Sequence, residues 1–192
     1  MAVAHPFGVG DARYRLATTA ARFVDTVPFG AFRKSLWQTV GGFNEDLLAN
    51  EDYDFNYRVR QSGGKVLLDS DAHCDYFARP TISQLALQYW RYGSWKARML
   101  RLHPSSVKLR QVVAPLFVAW LLLTFAVGFF WGFAWWLLAA TIAFYALVAM
   151  ISSLQLSLQS RETRSLFVLP FVFFTIHWTW GSGFLLGLFR RP

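Results

Sequence analysis

From Val112 to Ser160 the chain carries no Asp, Glu, Lys or Arg, and this constrains its fold more than any other feature. A helix rises about 1.5 Å per residue and a bilayer core is about 30 Å thick, so one crossing takes roughly 20 residues. The stretch therefore has room for two crossings joined by a tight turn. Gly128 to Phe133, with Trp131 and Gly132 inside it, is the expected turn, because tryptophan keeps its ring apolar and its N–H wet at the headgroup level. A third apolar stretch runs from Leu166 to Phe189, interrupted by Pro170, His177, Gly181 and Gly183. The membrane domain is expected over 111–192, with hydrophobic segments at 112–130, 133–151 and 166–189.

The remainder differs in kind. Of the 192 residues 55% are hydrophobic and the net charge is +8, but the charges sit mostly in the first 110 residues. Lys108 and Arg110 precede the first segment, Arg161 and Arg164 lie between the second and third, and the turn at Trp131 has no basic residue. That asymmetry fits a hairpin with both ends in the cytoplasm. Arg190 and Arg191 also ask for the inside, which a third full crossing would deny them. A re-entrant or broken helix would satisfy them, provided protein covers its freed backbone groups. Three crossings are the expectation.

Met1 to Pro6 shows no basic region followed by a long apolar core, so no signal peptide is read and the polar part is expected to face the cytoplasm. The expected location is the cytoplasmic (bacterial inner) membrane, multi-pass. Cys74 is the single cysteine, which excludes an internal disulfide and a multi-Cys zinc site, and it is expected to be an inert packing residue. His5, His73 and His103 are too scattered to form a metal site by spacing. His177, the one titratable group in the third segment, is expected to bond across a helix contact.

Within the polar part, Phe7 to Asp25 reads as loop with some irregular structure. Phe32 to Val40 is a short helix, stopped by the Gly41-Gly42 pair. Asn50 is the expected N-cap of a helix reaching Ser62, where Gly63-Gly64 ends it. Lys65 to Asp69 is a strand and Ala72 to Phe77 a further candidate. After Pro80 a helix from Ile82 to Leu102 presents Gln84, Gln88, Arg91, Arg98 and Arg101 on one side and Leu85, Tyr89, Tyr92, Met99 and Leu100 on the other. Lys96 falls at the margin of the apolar face, where a long side chain can snorkel. Such a helix suits the headgroup plane of an acidic membrane; a helix packed on the polar domain with a solvated basic face fits the same pattern. The divisions are thus 1–80, 81–110 for the amphipathic helix and linker, and 111–192.

The carboxylates of Glu51, Asp52 and Asp54 open the second helix. Asp52, fixed at the second helical position, suits a base that takes a proton from an attacking hydroxyl. Alternatively the three complement the helix dipole, at about 0.3–1 kcal/mol each.

The ordered motifs resolve that choice. Phe29-Gly30-Ala31-Phe32-Arg33-Lys34, Gly41-Gly42-Phe43-Asn44-Glu45, Asn50-Glu51-Asp52-Tyr53-Asp54, Gly63-Gly64-Lys65, Tyr76-Phe77-Ala78-Arg79-Pro80, Gln88-Tyr89-Trp90-Arg91-Tyr92-Gly93 and His177-Trp178-Thr179-Trp180-Gly181 resemble, in this order, the second half of a family 2 glycosyltransferase of the exopolysaccharide (succinoglycan) type. The resemblance covers nearly the whole chain. It implies an α/β fold, part of a GT-A (Rossmann-like) catalytic domain followed by the interfacial helix and an all-α membrane region. It also implies inverting transfer from a nucleotide-sugar donor to a hydroxyl of a lipid-linked or saccharide acceptor, with Asp52 as base and Glu51 beside it at the substrate. Gly30 and Ala31 match the backbone lining the acceptor pocket. Gln88 and Arg91 match the Gln-x-x-Arg-Trp motif that contacts the donor diphosphate, for which an Arg fork offers paired donors. Tyr92 stands at that motif's Trp, leaving an aromatic platform of a different kind.

The family's nucleotide pocket and Asp-x-Asp site have no counterpart before Gly30. Asp69-Ser70-Asp71 has the spelling but follows the base, and is assigned to a turn. The divalent cation (Mg or Mn) of the complete enzyme is therefore expected at a site outside this chain, and the chain to be inactive alone, part of a longer or split enzyme with a separate N-terminal half. The alternative is a noncatalytic membrane module bound to a polysaccharide synthase. A channel is disfavoured because the charge-free hairpin offers no ion path, and nucleic-acid binding because positive charge gathers beside the spans.

Overall fold

The computed structural model describes residues 1–10, 12–15, 20–72 and 74–190; Asp11, His73 and Arg191 lie outside the described residues. After a 3-10 turn (Ala2–Ala4) come α1 (Pro6–Val9), a second such turn (Arg13–Arg15), β1 (Arg22–Val24), α2 (Lys34–Val40) and α3 (Glu51–Gln61). Then follow β2 (Val66–Leu68), α4 (Ile82–Leu102), a third 3-10 turn (Pro104–Ser106), α5 (Leu109–Gly128), α6 (Phe133–Ser160) and α7 (Arg164–Phe189). The fold is mostly helical. Among the described residues its sheet consists of β1 and β2, antiparallel, with Arg22 opposite Leu68 and Val24 opposite Val66. The expected α/β character reaches only that far, and the described residues build no Rossmann layer.

Several expectations need correction. A strand, β1, interrupts the stretch read as loop before Asp25, because three residues are too few to show an alternation. The described residues between Ala72 and Phe77 form no strand. Asn50 occupies the N-cap position of α3, but at φ 67° its side chain makes no capping bond; its amide instead reaches α4, donating to the carbonyl of Tyr92 at 3.4 Å. Cys74 is exposed rather than packed. Lys96 does not snorkel: it is 1% exposed, its ammonium 3.2 Å from the centre of the Tyr53 ring.

Other elements form where the residues direct. Gly41 and Gly42, at φ 87° and 72°, stop α2, and Gly42 N–H returns to the Trp37 carbonyl at 2.9 Å. Thr81 Oγ1 caps α4 by accepting from Gln84 N–H at 3.3 Å. The turn between α5 and α6 falls at residues 129–132, as expected. The two helices are pinned by Trp120 Nε1 donating to Thr141 Oγ1 at 3.0 Å and by Phe117 stacked on Tyr145 at 4.8 Å. Three helices, α5, α6 and α7, are long and apolar enough to cross a membrane.

The centre of the molecule is the contact of α4 with α7. A Cβ on Gly93 would stand 2.2 Å from the Trp180 carbonyl oxygen, and one on Gly183 2.4 Å from that of Trp90. Backbones approach this closely only where side chains are missing. Leu85 and Tyr89 of α4 pack in one buried cluster with Leu169, Phe173 and Ile176 of α7 and with Ala2. The adjoining side of α4 takes the polar domain, Met99 packing with Leu47, Tyr53 and Tyr57. His177 bonds through both ring nitrogens, to the Tyr145 hydroxyl at 2.9 Å and the Phe7 carbonyl at 2.8 Å, which is the expected structural role.

Gly93→Val should overpack this contact and lower stability by about 1–3 kcal/mol, read as a reduced melting temperature in detergent. Gly132→Ala, where a Cβ meets nothing within 4 Å, should stay within about 0.5 kcal/mol of the parent.

Candidate functional site

The acidic start of α3 divides into carboxylates with different roles. Asp54 is fully buried and spent on structure. Arg58 Nε donates to Asp54 Oδ2 at 2.8 Å, His103 Nε2 lies 2.8 Å from Oδ1, and the same guanidinium donates to the carbonyls of Val40 at 2.7 Å and Gly42 at 2.6 Å. Asp54 thus braces α3 against both the end of α2 and the end of α4. A cleft of about 360 Å³ opens at this brace, lined by Gly41, Phe43, Asn44, Asp54, Arg58, Leu102 and His103. None of the expected site residues lines it.

Asp52 is only half-buried and forms no ion pair among the described residues. Its Oδ1 accepts from Tyr53 N–H at 2.7 Å. Burial raises its carboxyl above the ordinary value, with Glu51 pushing the same way, while the Tyr53 N–H and the Arg15 charge oppose the rise. Glu51 itself is exposed.

Two other expected residues, Gln88 and Tyr92, are linked to the start of α3 by a chain of bonds. Gln88 Nε2 donates to the Tyr92 hydroxyl at 2.9 Å and to the Tyr76 hydroxyl at 3.0 Å. The Tyr92 carbonyl receives the Asn50 amide, so the middle of α4 is held against the start of α3. Gly30 and Ala31 are exposed in the loop before α2. That loop is tied to α3 on both sides: Asn56 Nδ2 donates to Thr26 Oγ1 and the Val27 carbonyl, each at 2.9 Å, and Phe32 packs on Phe55 with centroids 4.7 Å apart. Arg91 is also exposed and is not drawn into this network.

Three participants escaped sequence reasoning. The Arg15 guanidinium sits 5.6 Å from the Tyr76 ring and acts electrostatically on Asp52; nothing local in the sequence signals this long-range pairing. Tyr76 stood in a quoted motif but without a role. Lys96 had a signal in its spacing, since it follows Leu85, Tyr89 and Tyr92 along one side of the helix. Its ammonium nitrogen is buried with no hydrogen-bond partner among the described residues. Burial, then the Arg110 charge, lower it to about 7.

No set of three or more His, Cys, Asp or Glu side chains converges on a metal position among the described residues. Asp69 Oδ1 accepts from Asp71 N–H at 3.0 Å, a turn bond. Among the described residues no side-chain cluster fits a divalent cation.

The family model for glycosyl transferase family 21 matches residues 8–187, through the polar domain and all three long helices. The chain belongs to that family. It is 26% identical over 161 residues, 83% of its length, to the succinoglycan biosynthesis protein ExoA of Rhizobium meliloti (strain 1021), covering 47% of that protein. It is 24% identical over 174 residues, 88% of its length, to a Methanococcus voltae dolichyl N-acetyl-alpha-D-glucosaminyl phosphate 3-beta-D-2,3-diacetamido-2,3-dideoxy-beta-D-glucuronosyltransferase, covering 48% of that protein. The chain thus spans about half the length of these curated relatives. No solved structure matches it. The resemblance read from the ordered motifs is borne out at the level of family and of an exopolysaccharide relative.

Two stability measurements separate bracing from chemistry in this family 21 chain. Asp54→Asn leaves Arg58 and His103 without their buried partner and should cost about 3–5 kcal/mol, whereas Asp52→Asn should leave the melting temperature nearly unchanged. Lys96→Met removes a buried ammonium. In the folded chain Lys96 takes up its proton only near pH 7, against 10.5 for the ordinary side chain, so the unfolded chain binds more protons between these values and parent stability rises with pH across that window. The melting temperature of Lys96→Met should therefore exceed the parent's most at pH 7 and below, the gap closing toward pH 10.

Proposed function

We propose that this chain forms the acceptor side of an inverting glycosyltransferase at the cytoplasmic face of the bacterial inner membrane. The transfer moves a sugar from a nucleotide-sugar donor to a hydroxyl of a lipid-linked or polysaccharide acceptor. The observation that carries this reading is the contrast within one helix turn: Asp54 is consumed in a buried brace, while Asp52 keeps a half-buried carboxylate with no ion pair among the described residues, two residues after the Asn50 that is bonded to Tyr92. Family membership supports sugar transfer in general terms.

In the proposed step the acceptor oxygen attacks the anomeric carbon as Asp52 takes its proton, and the nucleoside diphosphate leaves from the opposite face, which inverts the configuration. Gly30 and Ala31, exposed and without large side chains, line the acceptor. Glu51 faces the same substrate. Arg91 offers its fork to the donor diphosphate, Gln88 holds the hydroxyls of Tyr76 and Tyr92, and Tyr92 gives an acceptor sugar an aromatic face. The nucleotide pocket and a divalent cation, which would stabilise the leaving diphosphate, are assigned to polypeptide outside these 192 residues, in keeping with the relatives' greater length.

Transfer of labelled sugar by membranes carrying the complete enzyme tests the assignment. Asp52→Asn should lower kcat by about 10²–10⁴-fold with unchanged membrane insertion. The parent's rate should climb with pH along a limb above the ordinary carboxylate range, because a base whose proton is held by burial ionises later. Full activity in Asp52→Asn would leave the chain as a noncatalytic module of a synthase.

A further inference from the structure

We infer that α7, although long and apolar enough to cross a membrane, does not cross it: α7 lies beside α4 in the boundary layer, so Arg190 emerges on the same side as the polar domain. The inference rests on the membrane hairpin and is independent of the sugar chemistry.

The argument begins with α4. The polar domain covers one side of this helix along most of its length. Tyr76 bonds Gln88, Asn50 bonds the Tyr92 carbonyl, Tyr53 lies under Lys96, Leu47 and Tyr57 pack with Met99, and Asp54 bonds His103 just beyond the end. Residues 88–103 span about 22 Å at 1.5 Å per residue. Were α4 upright in the bilayer, the charged helix α3 would stand at the level of the hydrocarbon, together with the exposed Arg91 and Arg101. So α4 lies in the plane of the membrane surface.

The adjoining side of α4 is covered by α7, running in the same direction. Leu85 and Tyr89 pack with Phe173 and Ile176; Gly93 meets Trp180 and Phe184; Gly187 meets Ala97; and Arg101 donates to the Leu188 carbonyl at 3.2 Å. Packed helices keep their axes about 8–10 Å apart, and the glycines place this pair at the near limit. From Phe173 to Leu188, α7 therefore stays within one helix layer of an in-plane helix.

The hairpin agrees. Trp180 Nε1 donates to the Gln111 carbonyl at 3.3 Å, and a Cβ on Gly181 would stand 2.6 Å from the Ala114 oxygen and from Val118 Cγ2. These residues belong to the first half of α5, the end next to the polar domain. The far end of the hairpin closes on itself through Phe125, Phe129 and Trp135. A crossing helix that had reached the level of Tyr145 at His177 would carry its last turns to that far end. The last turns of α7 meet α4 instead. The exposed Phe167, Phe171 and Phe189 then face acyl chains from the boundary, and the basic residues at both ends of α7 share the headgroup layer, which removes the conflict that three crossings create for Arg190.

Site-specific labelling of the full chain in intact and permeabilised cells, with a membrane-impermeant maleimide, tests this. The native Cys74 is exposed and reports the polar domain. Cys74→Ser combined with Trp131→Cys reports the hairpin turn, and Cys74→Ser combined with Arg190→Cys the end of α7. Residues 74 and 190 should behave alike, reacting only after permeabilisation, and residue 131 should react in intact cells. Labelling at 190 that follows 131 instead of 74 overturns the inference, as does one behaviour shared by all three. Phe189→Cys, at an 82% exposed position, repeats the measurement should Arg190→Cys fail to accumulate.

Discussion

The close approach of α4 and α7 is the contact on which the remaining architecture depends. Lipid tails are as apolar as leucine, so helices near a bilayer associate through packing and hydrogen bonds more than through escape from water. Here Gly93, Gly183 and Gly187 let the backbones meet, and Ser94 Oγ donates to the Gly183 carbonyl at 3.1 Å. With one side of α4 committed to α7, the adjoining side is fixed in direction and becomes the platform for α3. The positions of Asp52 and Asp54 follow from that platform.

Charge at this junction is handled by geometry more than by number. The acidic turn of α3 loses one carboxylate to the Arg58 and His103 brace, which orients the helix, and retains another, Asp52, half-buried and outside that brace. Lys96 works against stability, since a buried ammonium without hydrogen bonds is costly. The face of the Tyr53 ring offsets part of that cost, a desolvated cation over an aromatic ring contributing about 2 kcal/mol. The ring belongs to the residue following Asp52, so this cation also sets the first turn of the helix that carries the proposed base.

Much of this was legible in the sequence wherever a pattern is local. The charge-free hairpin, its turn at Trp131, the glycine stop of α2 and the whole span of α4 follow from periodicity and from residues with special backbone preferences. Of the candidate site residues that motif order proposes, Gln88 and Tyr92 are bonded to one another and, through Asn50, to the start of α3. What stayed hidden depends on contacts distant in sequence. The left-handed Asn50 gives up its capping bond for a carbonyl 42 residues on, and Arg15 reaches Tyr76 across an irregular segment. Lys96 was placed at a margin because a lysine on an apolar stripe ordinarily extends to water; the arrival of Tyr53 from α3 closes that route. For α7, hydropathy measures only whether a helix tolerates lipid, and its neighbours decide which way it lies.

The same geometry bears on the acceptor. Because α3 rests directly on α4, and packed helices keep their axes about 8–10 Å apart, the proposed base sits roughly one helix layer above the membrane surface. A hydroxyl reaching Asp52 then arrives at headgroup height, where a sugar tethered to a lipid is already confined to a thin layer. Confinement replaces a search through solution with one along the surface, and it lowers the entropy lost in placing the hydroxyl beside the carboxylate. On the proposed reading, this height suits a lipid-linked acceptor better than a free polysaccharide end. On the same reading the close α4–α7 contact would keep the register between the Asp52 carboxylate and a tethered substrate.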